Sequence, residues 1–371
     1  MSTNLTMDTL RRLRLDAQLL LETSRTNDPA EVVRQLCALQ AQELPSAHLA
    51  IRARSQSLTQ QDVQHAREVE RSIVLMWSAR GTMHLVAAED VSWQLALFGD
   101  HVIKKTERRY KQLGLDASTR DKATLLIVDL LGEHGPQTRA QIAQSLAKSG
   151  IPVEGQAIHH LVRYAALRGR ICFGPVVDNE LTYVVLDDWL HNPLDAQIDT
   201  DKAVRELAGR YLRAFGPATL NDFRRWSGLS ASQAKAGFKA IADALNEVSI
   251  GGESAWMLTT ARTDLPATPS VRFLPRYDNY LLGYEHRDFM VDADHASKIH
   301  AGGGLIRESL VIDGLAQATW RLDRRRKTPQ LRINVFTHIS AAQKEQILIE
   351  VEQIRRFLAI EAEVEVFYDE A

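Results

Sequence analysis

Two glutamines, Gln40 and Gln42, are separated by one alanine and lie between an apolar helical pattern and a proline. The apolar residues of 32–39 repeat at helical spacing. Because Pro45 disfavours helical backbone at the residue before it, the sequence predicts that this helix ends near Gln42. Both amides could then face one cleft, whereas residues two apart within a helix point away from each other. Such amides can orient a water molecule. The alternative is a polar helix end without a chemical role.

Clusters of basic side chains are a second group of candidates. The net charge of the 371 residues is −2, which argues against a protein that coats nucleic acid indiscriminately. Segregated charge could still contact phosphates, and the clusters at Lys104–Lys105 and Arg224–Arg225 are the first candidates. Each of them could equally be a solvated face.

Metal and membrane chemistry are not expected. Cys37 and Cys172 lack metal-ligand spacing, and the pair His159–His160 lacks a carboxylate or cysteine partner. No run of about 18 uncharged apolar residues occurs, and the first residues do not resemble a secretory signal. We therefore expect a cytoplasmic protein without metal, cofactor or membrane segment.

The candidate residues must be positioned by helices and strands, and the sequence patterns of these elements predict an α+β fold with three tandem winged helix-turn-helix domains. Helical stripes followed by a strand, a turn and a return strand over 73–86 indicate the first domain. An internal repeat indicates two more: a helix ends at a Gly-Pro pair, a threonine caps the next helix, and strand candidates close each copy. The Gly-Pro pairs at 135 and 216 are 81 residues apart. The predicted domains are residues 1–115, 116–198 and 199–264.

Residues 265–371 are predicted to form a fourth, strand-rich domain. Asp313-Gly314 is a hairpin turn signal, and residues 331–336 alternate as a half-buried strand. An amphipathic helix over 341–359 and a last strand complete the chain. We expect a small β-barrel-like domain covered by a helix.

Four stretches together resemble the AlkZ-like winged-helix DNA glycosylases. They are residues 39–50, which contain both glutamines, residues 77–86, residues 274–287, and residues 311–314 with 319–321. Their order and spread cover nearly the whole chain, and only their joint occurrence is specific. The resemblance also implies the winged helices and the barrel-like domain.

The resemblance implies a monofunctional glycosylase that removes N7-alkylated guanine from double-stranded DNA, including bulky adducts and interstrand crosslinks. An N7-alkylated base is cationic and leaves as a neutral molecule, so a strong acid is not required. Gln40 and Gln42 are the implied catalytic residues, because amide carbonyls can stabilise an oxocarbenium-like sugar and orient water. Gln42 stands where a sister branch carries aspartate, which favours the branch linked to antibiotic self-resistance. Glu43 could add a carboxylate or be a solvated or capping residue.

Four further residues are weaker candidates. Arg80 and His84 flank the first hairpin turn and could contact DNA or form structural hydrogen bonds. Asp278 and Arg287 could line the cleft, or belong to a buried ion pair. Trp77 and Trp320 are expected in the core, with base stacking as the alternative.

Two other functions remain open from the sequence. A non-enzymatic winged-helix transcription regulator would read the major groove with a recognition helix. A protein that sequesters an antibiotic without touching DNA is the third interpretation. For the glycosylase we expect a monomer.

Overall fold

The chain folds into two compact units. The computed structural model describes residues 3–191, 194, 198–302 and 304–368. One unit combines Met1–Val63 with Arg205–Ala371 and is called the split unit; the other, Gln64–Val204, is called the middle unit. The first predicted domain contributes to both units, and the division into four domains stays a prediction.

The first 112 residues are mainly helical and contain one hairpin. The hairpin strands β3 and β4 are antiparallel, with Ile73 opposite Ala87 and Trp77 opposite Met83. The long helix α5 follows the hairpin. The elements are β1 (Thr3–Asn4), α1 (Met7–Ala17), α2 (Pro29–Gln35), β2 (Leu39–Gln40), α3 (Leu44–Ala53), α4 (Gln60–Glu68), β3 (Ile73–Trp77), β4 (Met83–Ala87) and α5 (Val91–Gln112).

Two similar successions of elements follow. The first is α6 (Ala117–His134), β5 (Gln137–Thr138), α7 (Arg139–Lys148), α8 (Ala157–Leu167), β6 (Ile171–Val177), β7 (Glu180–Val185) and α9 (Leu186–Trp189). The second is α10 (Thr200–Phe215), α11 (Leu220–Ser227), α12 (Ala231–Ala240), β8 (Leu245–Ile250) and β9 (Glu253–Leu258). Thr138 caps α7 and Thr219 caps α11, as predicted, each in a reciprocal capping box. Helices followed by a hairpin are the order of a winged helix, and the number of such domains stays a prediction.

The strand-rich end of the chain forms an open sheet. Its elements are β10 (Val271–Leu274), α13 (Asn279–Leu282), α14 (Ala296–Ile299), β11 (His300–Gly302), β12 (Leu305–Ile306), β13 (Ser309–Ile312), β14 (Leu315–Asp323), β15 (Gln330–Val335), α15 (Ala341–Leu358) and β16 (Glu363–Tyr368). The five-stranded sheet has the order β10-β13-β14-β15-β16. The expected barrel-like closure is wrong, because β10 and β16 are the two edges of this sheet.

A helix, rather than closure, buries the apolar side chains of this sheet. Phe273 and Trp320 pack edge to face with ring centroids 5.4 Å apart, and Ile347 and Val351 of α15 belong to the same buried cluster. The Trp320 indole N–H donates to the Leu274 carbonyl at 2.9 Å. Trp320 is therefore a core residue, which leaves no exposed ring for base stacking.

The mixed α+β class is confirmed. Among the residues that the structure describes, every helix is too short or too polar to cross a membrane.

Candidate active site

Gln40 and Gln42 lie on a connector between two helices, not at a helix end. Helix α2 already ends at Gln35, and Cys37 adopts a left-handed conformation with φ of 65°. The chain continues as the short strand β2 and re-enters helix at Leu44. The predicted helix end near Gln42 is wrong. Only the first part of the apolar pattern lies in α2, and the apolar residues after Gln35 are buried in non-helical backbone.

The connector places both glutamine side chains on one side of the chain. In extended backbone, residues two apart point the same way. The Gln40 Nε2 donates to Gln42 Oε1 at 2.6 Å, while Ala41 between them is fully buried. Gln40 is half-buried and Gln42 is exposed, so the amide pair borders solvent.

Asn279 holds the connector through its side-chain amide. Its Nδ2 donates to the Ala38 carbonyl at 2.8 Å, and its Oδ1 accepts from the Gln40 backbone N–H at 3.4 Å. Asn279 is the first residue of α13 and is only 4% exposed. The sequence analysis missed this residue as a site residue, although it lies inside the stretch 274–287 that carries the family resemblance.

The preceding residue, Asp278, lies in a buried ion pair and not on a cleft surface. Its two carboxylate oxygens accept from Arg54 Nη1 and Nη2, each at 2.8 Å, and both side chains are fully buried. Asp278 also caps α13 by accepting from the Tyr280 backbone N–H. Asp278 therefore fits the buried ion-pair alternative and not the prediction that it lines the cleft. It stabilises the turn that precedes Asn279.

Glu43 forms an ion pair with Arg276, a residue that was not predicted from the sequence to belong to the site. Arg276 lies between two carboxylates, 3.4 Å from Glu43 Oε1 and 3.1 Å from Glu308 Oε1. Burial opposes the charge on Arg276, but the neighbouring carboxylates outweigh it and raise the pKa of the guanidinium. Glu43 is the N-cap residue of α3, yet its side chain forms no capping hydrogen bond. Its carboxylate is paired with Arg276 one residue from Gln42.

Arg287 and Arg225 form a positive patch in the split unit. Arg287 Nη1 lies 3.1 Å from His300 Nδ1, and burial together with the charge of Arg225 lowers the pKa of Arg287. Burial and the charge of Arg287 also lower the pKa of His300. Arg224 and Arg225 are exposed on α11. The charge of Arg225 thus acts on Arg287, although the sequence placed the two residues in separate groups of candidates.

In the middle unit, Arg80 and His84 have different environments. Arg80 is exposed at the hairpin turn with φ of 56°, and Lys104 and Lys105 are exposed on α5. His84 is only 2% exposed, and its Nδ1 lies 3.0 Å from the Thr82 carbonyl oxygen. Burial, assisted by the charge of Arg80, lowers the pKa of His84 to about 3. His84 therefore fits the structural alternative rather than a DNA contact, because its side chain is buried.

Within the described part of the chain, no group of three or more His, Cys, Asp or Glu residues could hold a metal ion.

Comparison with known proteins identifies the family of this chain. The family model described as DNA glycosylase AlkZ-like matches residues 33–357. The chain belongs to the AlkZ-like DNA glycosylase family. A relative from Streptomyces sahachiroi, named as an interstrand DNA cross-link repair glycosylase, is 27% identical over 315 residues, covering 81% of this chain and 84% of the relative.

The fold has a solved counterpart. The structure of the Streptomyces sahachiroi DNA glycosylase AlkZ matches with a TM-score of 0.83 over 98% of this chain and 100% of that one. The two sequences are 22% identical in this comparison. The resemblance stated from the sequence is confirmed, and the shared fold is that of the AlkZ structure.

Proposed function

We propose that this protein is a monofunctional DNA glycosylase that excises N7-alkylguanine from double-stranded DNA. The observation that carries the proposal is the hydrogen-bonded pair Gln40–Gln42 on a connector fixed by Asn279. Membership of the AlkZ-like family supports the reaction class. The cross-link repair name of the Streptomyces relative supports interstrand crosslinks as substrates. We further propose that the protein accepts bulky adducts and serves in self-resistance to a DNA-alkylating antibiotic.

The proposed chemistry uses the two amides for positioning rather than for proton transfer. Alkylation at N7 makes the base cationic, so it departs as a neutral molecule and leaves positive charge on the sugar. One glutamine carbonyl stabilises this charge while the pair orients the attacking water. The bond between Gln40 and Gln42 fixes the amide dipoles before the substrate binds, which reduces reorganisation in the transition state.

Glu43 is proposed to contribute to the electrostatics of the site. A carboxyl group one residue from Gln42 can favour developing positive charge on the sugar. Because Arg276 pairs with it and also with Glu308, the carboxylate is oriented and its field is partly neutralised. We assign Glu43 a supporting electrostatic role and assign orientation of the attacking water to the two glutamines.

DNA binding is assigned to six basic side chains, of which Arg287 is half-buried and the other five are exposed. We propose that Arg224, Arg225 and Arg287 in the split unit contact phosphates. In the middle unit, Arg80, Lys104 and Lys105 have the same proposed role. The protein is proposed to act as a cytoplasmic monomer without a cofactor.

The test is base release from duplex oligonucleotides that contain one N7-methylguanine or one bulky N7 adduct. The purified protein is incubated with excess EDTA, and the free base is measured by liquid chromatography and mass spectrometry. We expect release of modified base and an abasic strand that breaks only after alkali treatment. No release from any of the adducts, together with tight binding to one undamaged sequence, would favour the transcription-regulator interpretation instead. Strand cleavage without alkali, or trapping by borohydride, would contradict a monofunctional mechanism.

A further inference from the structure

Asp222 joins helix α11 to a part of the chain that leads to the glutamine connector. It lies in the first turn of α11, and its Oδ2 accepts from the Thr219 backbone N–H at 2.9 Å in the capping box. Its other oxygen, Oδ1, accepts from the Glu285 backbone N–H at 2.7 Å, across 63 positions of the sequence. A capping box needs only one of these two oxygens. The second contact therefore does something other than cap the helix.

Residues 283–289, called the bridging segment, are also held by helix α10. The Tyr211 hydroxyl donates to the Gly283 carbonyl at 3.0 Å. The Tyr284 hydroxyl donates to the Phe215 carbonyl at 3.1 Å. Both hydrogen bonds are buried, and a buried network in which the polar groups have partners is rigid. The bridging segment thus has a fixed position relative to α10 and α11.

Arg14 of α1 supports the same arrangement. Its Nη2 lies 3.9 Å from Asp222 Oδ2, and its guanidinium carbon lies 3.8 Å from the ring centroid of Tyr284 and 4.1 Å from that of Phe289. Arg14 and Asp222 are only 3% and 4% exposed. Because a carboxylate is costly to bury without compensation, the nearby guanidinium offsets part of the cost of placing Asp222 here.

One helical turn links the bridging segment to the anchor of the connector. The Gly283 backbone N–H donates to the Asn279 carbonyl at 2.8 Å across α13. The Asn279 side chain in turn holds the backbone of Gln40. An unbroken series of contacts therefore runs from α11, which carries Arg224 and Arg225, to the catalytic connector.

We propose that Asp222 is a positioning residue for the catalytic glutamines. By fixing the bridging segment to α11, it keeps Asn279, and with it Gln40, at a set distance from the basic side chains proposed to hold the DNA backbone. A rigid support places a reacting group against its substrate more accurately than a loose one. Asp222 contacts neither glutamine, so it acts through Asn279. If Asp222 only capped α11, its removal would not affect the connector.

The first test is hydrogen–deuterium exchange of the full chain without DNA, measured by mass spectrometry. In Asp222→Ala, the Glu285 N–H loses its acceptor. We expect peptides that cover residues 283–289 and 38–42 to exchange about fivefold faster or more, the lower limit for one buried donor without a partner. Thr219→Ala is the matched control, because it removes the bond from the Asp222 N–H at 3.0 Å and leaves the contact with Glu285 in place. It should raise exchange only near the start of α11.

Unchanged exchange of residues 38–42 in folded Asp222→Ala would overturn the proposal, as would an equal increase in Thr219→Ala. Tyr211→Phe is a second variant in case Asp222→Ala does not fold. It removes only the hydroxyl that holds Gly283 and leaves the cap of α11 intact. Exchange of residues 38–42 should rise in this variant as well. Exchange at the wild-type rate would refute transmission through the bridging segment.

The second test rests on the proposed function and separates rate from affinity. We expect Asp222→Ala to lower the single-turnover rate constant of base release about tenfold, less than the roughly 100-fold cost of moving a positioned group by about 1 Å, because Asn279 remains present. Affinity for undamaged duplex should stay close to that of wild type, because all the basic side chains remain. In an Asn279→Ala background, Asp222→Ala should reduce the rate constant little further.

Two results would contradict the positioning role. One is a loss of duplex affinity with an unchanged rate constant in Asp222→Ala, and the other is full additivity with Asn279→Ala. Absence of base release from the wild-type protein would instead refute the proposed function, and the exchange experiment would still test the role of Asp222.

Discussion

Replacing Asn279 with alanine tests whether catalysis requires the glutamines to be held in position, because the variant leaves both glutamine side chains in the protein. The variant removes the 2.8 Å bond to the Ala38 carbonyl and the 3.4 Å bond from the Gln40 backbone N–H, while both glutamine side chains remain. If the connector must be fixed for catalysis, turnover falls although no group that touches the substrate has been changed.

The two contacts set the expected size of the stability effect. Each bond leaves a buried partner unsatisfied, which costs about 1–3 kcal/mol. The contact at 3.4 Å is at the long limit for a hydrogen bond and should contribute the smaller share. We therefore expect a total loss of about 2–3 kcal/mol, which corresponds to a fall in Tm of roughly 3–4 °C for a chain of this size. The variant should stay folded at assay temperature.

The expected effect on turnover is larger than the stability loss alone would give. A displacement of about 1 Å in a positioned group can cost about 100-fold in rate. We expect kcat to fall by that order at a temperature where circular dichroism shows the variant folded, with KM nearly unchanged. Asn279→Asp keeps an acceptor for Gln40 but directs a carboxylate at the Ala38 carbonyl, so it should lose most of the same activity.

A double-variant cycle identifies the cause. In a Gln40→Ala background, Asn279→Ala should reduce kcat little further, because the group that it positions is already absent. Asn246→Ala, at an exposed asparagine of the split unit, is the control and should have wild-type kcat. A folded Asn279→Ala protein with wild-type kcat would refute the positioning role, as would full additivity with Gln40→Ala.

Three further predictions follow from charged groups. Asp278→Ala leaves Arg54 buried without its partner and should destabilise the protein by about 3–5 kcal/mol in urea unfolding; a loss below about 1 kcal/mol would contradict the buried pair. Because the folded-state pKa of His84, about 3, is below its usual 6.5, its contribution to stability is present above pH 6.5 and is lost as the pH falls. The free energy of unfolding should therefore fall by roughly 2–3 kcal/mol more in wild type than in His84→Gln between pH 6.5 and 4.5, and parallel curves would be evidence against it. Arg225→Ala should weaken binding to all DNA sequences and reduce the salt slope by about one; a sequence-selective effect would indicate base readout instead.

The elements with strong local signals were predictable from the sequence. The hairpin turn at Asp313-Gly314 is confirmed, with φ of 49° and 86°, because an Asp-Gly pair accepts the left-handed conformations that a tight hairpin requires. The threonine caps of α7 and α11 are confirmed for a similar reason. In each case the residue types determine the local backbone.

Features that depend on distant contacts were not predictable. The run of apolar residues before Gln40 suggested one helix, yet α2 ends at Gln35, Cys37 turns the chain, and the last residues of the run are buried outside a helix. Whether the strand-rich domain closes into a barrel depends on pairing between strands that are distant in sequence. The sheet stays open, and helix α15 covers its apolar face. Asn279 is a polar residue at the start of a helix, where polar residues are common. Its hydrogen bond to the Gln40 backbone joins residues 239 positions apart in the chain, so this role could not be predicted from the sequence.

The central claim, that Gln40 and Gln42 carry out base excision, is tested most directly by single-turnover release of N7-methylguanine with enzyme in excess. We predict that Gln40→Ala and Gln42→Ala each reduce the rate constant by about 100- to 1,000-fold, as for loss of one preorganised polar group. Their Tm should stay close to that of wild type, and Gln61→Ala, at an exposed glutamine of α4, should react at the wild-type rate. Rates within about threefold of wild type for both active-site variants would contradict the account.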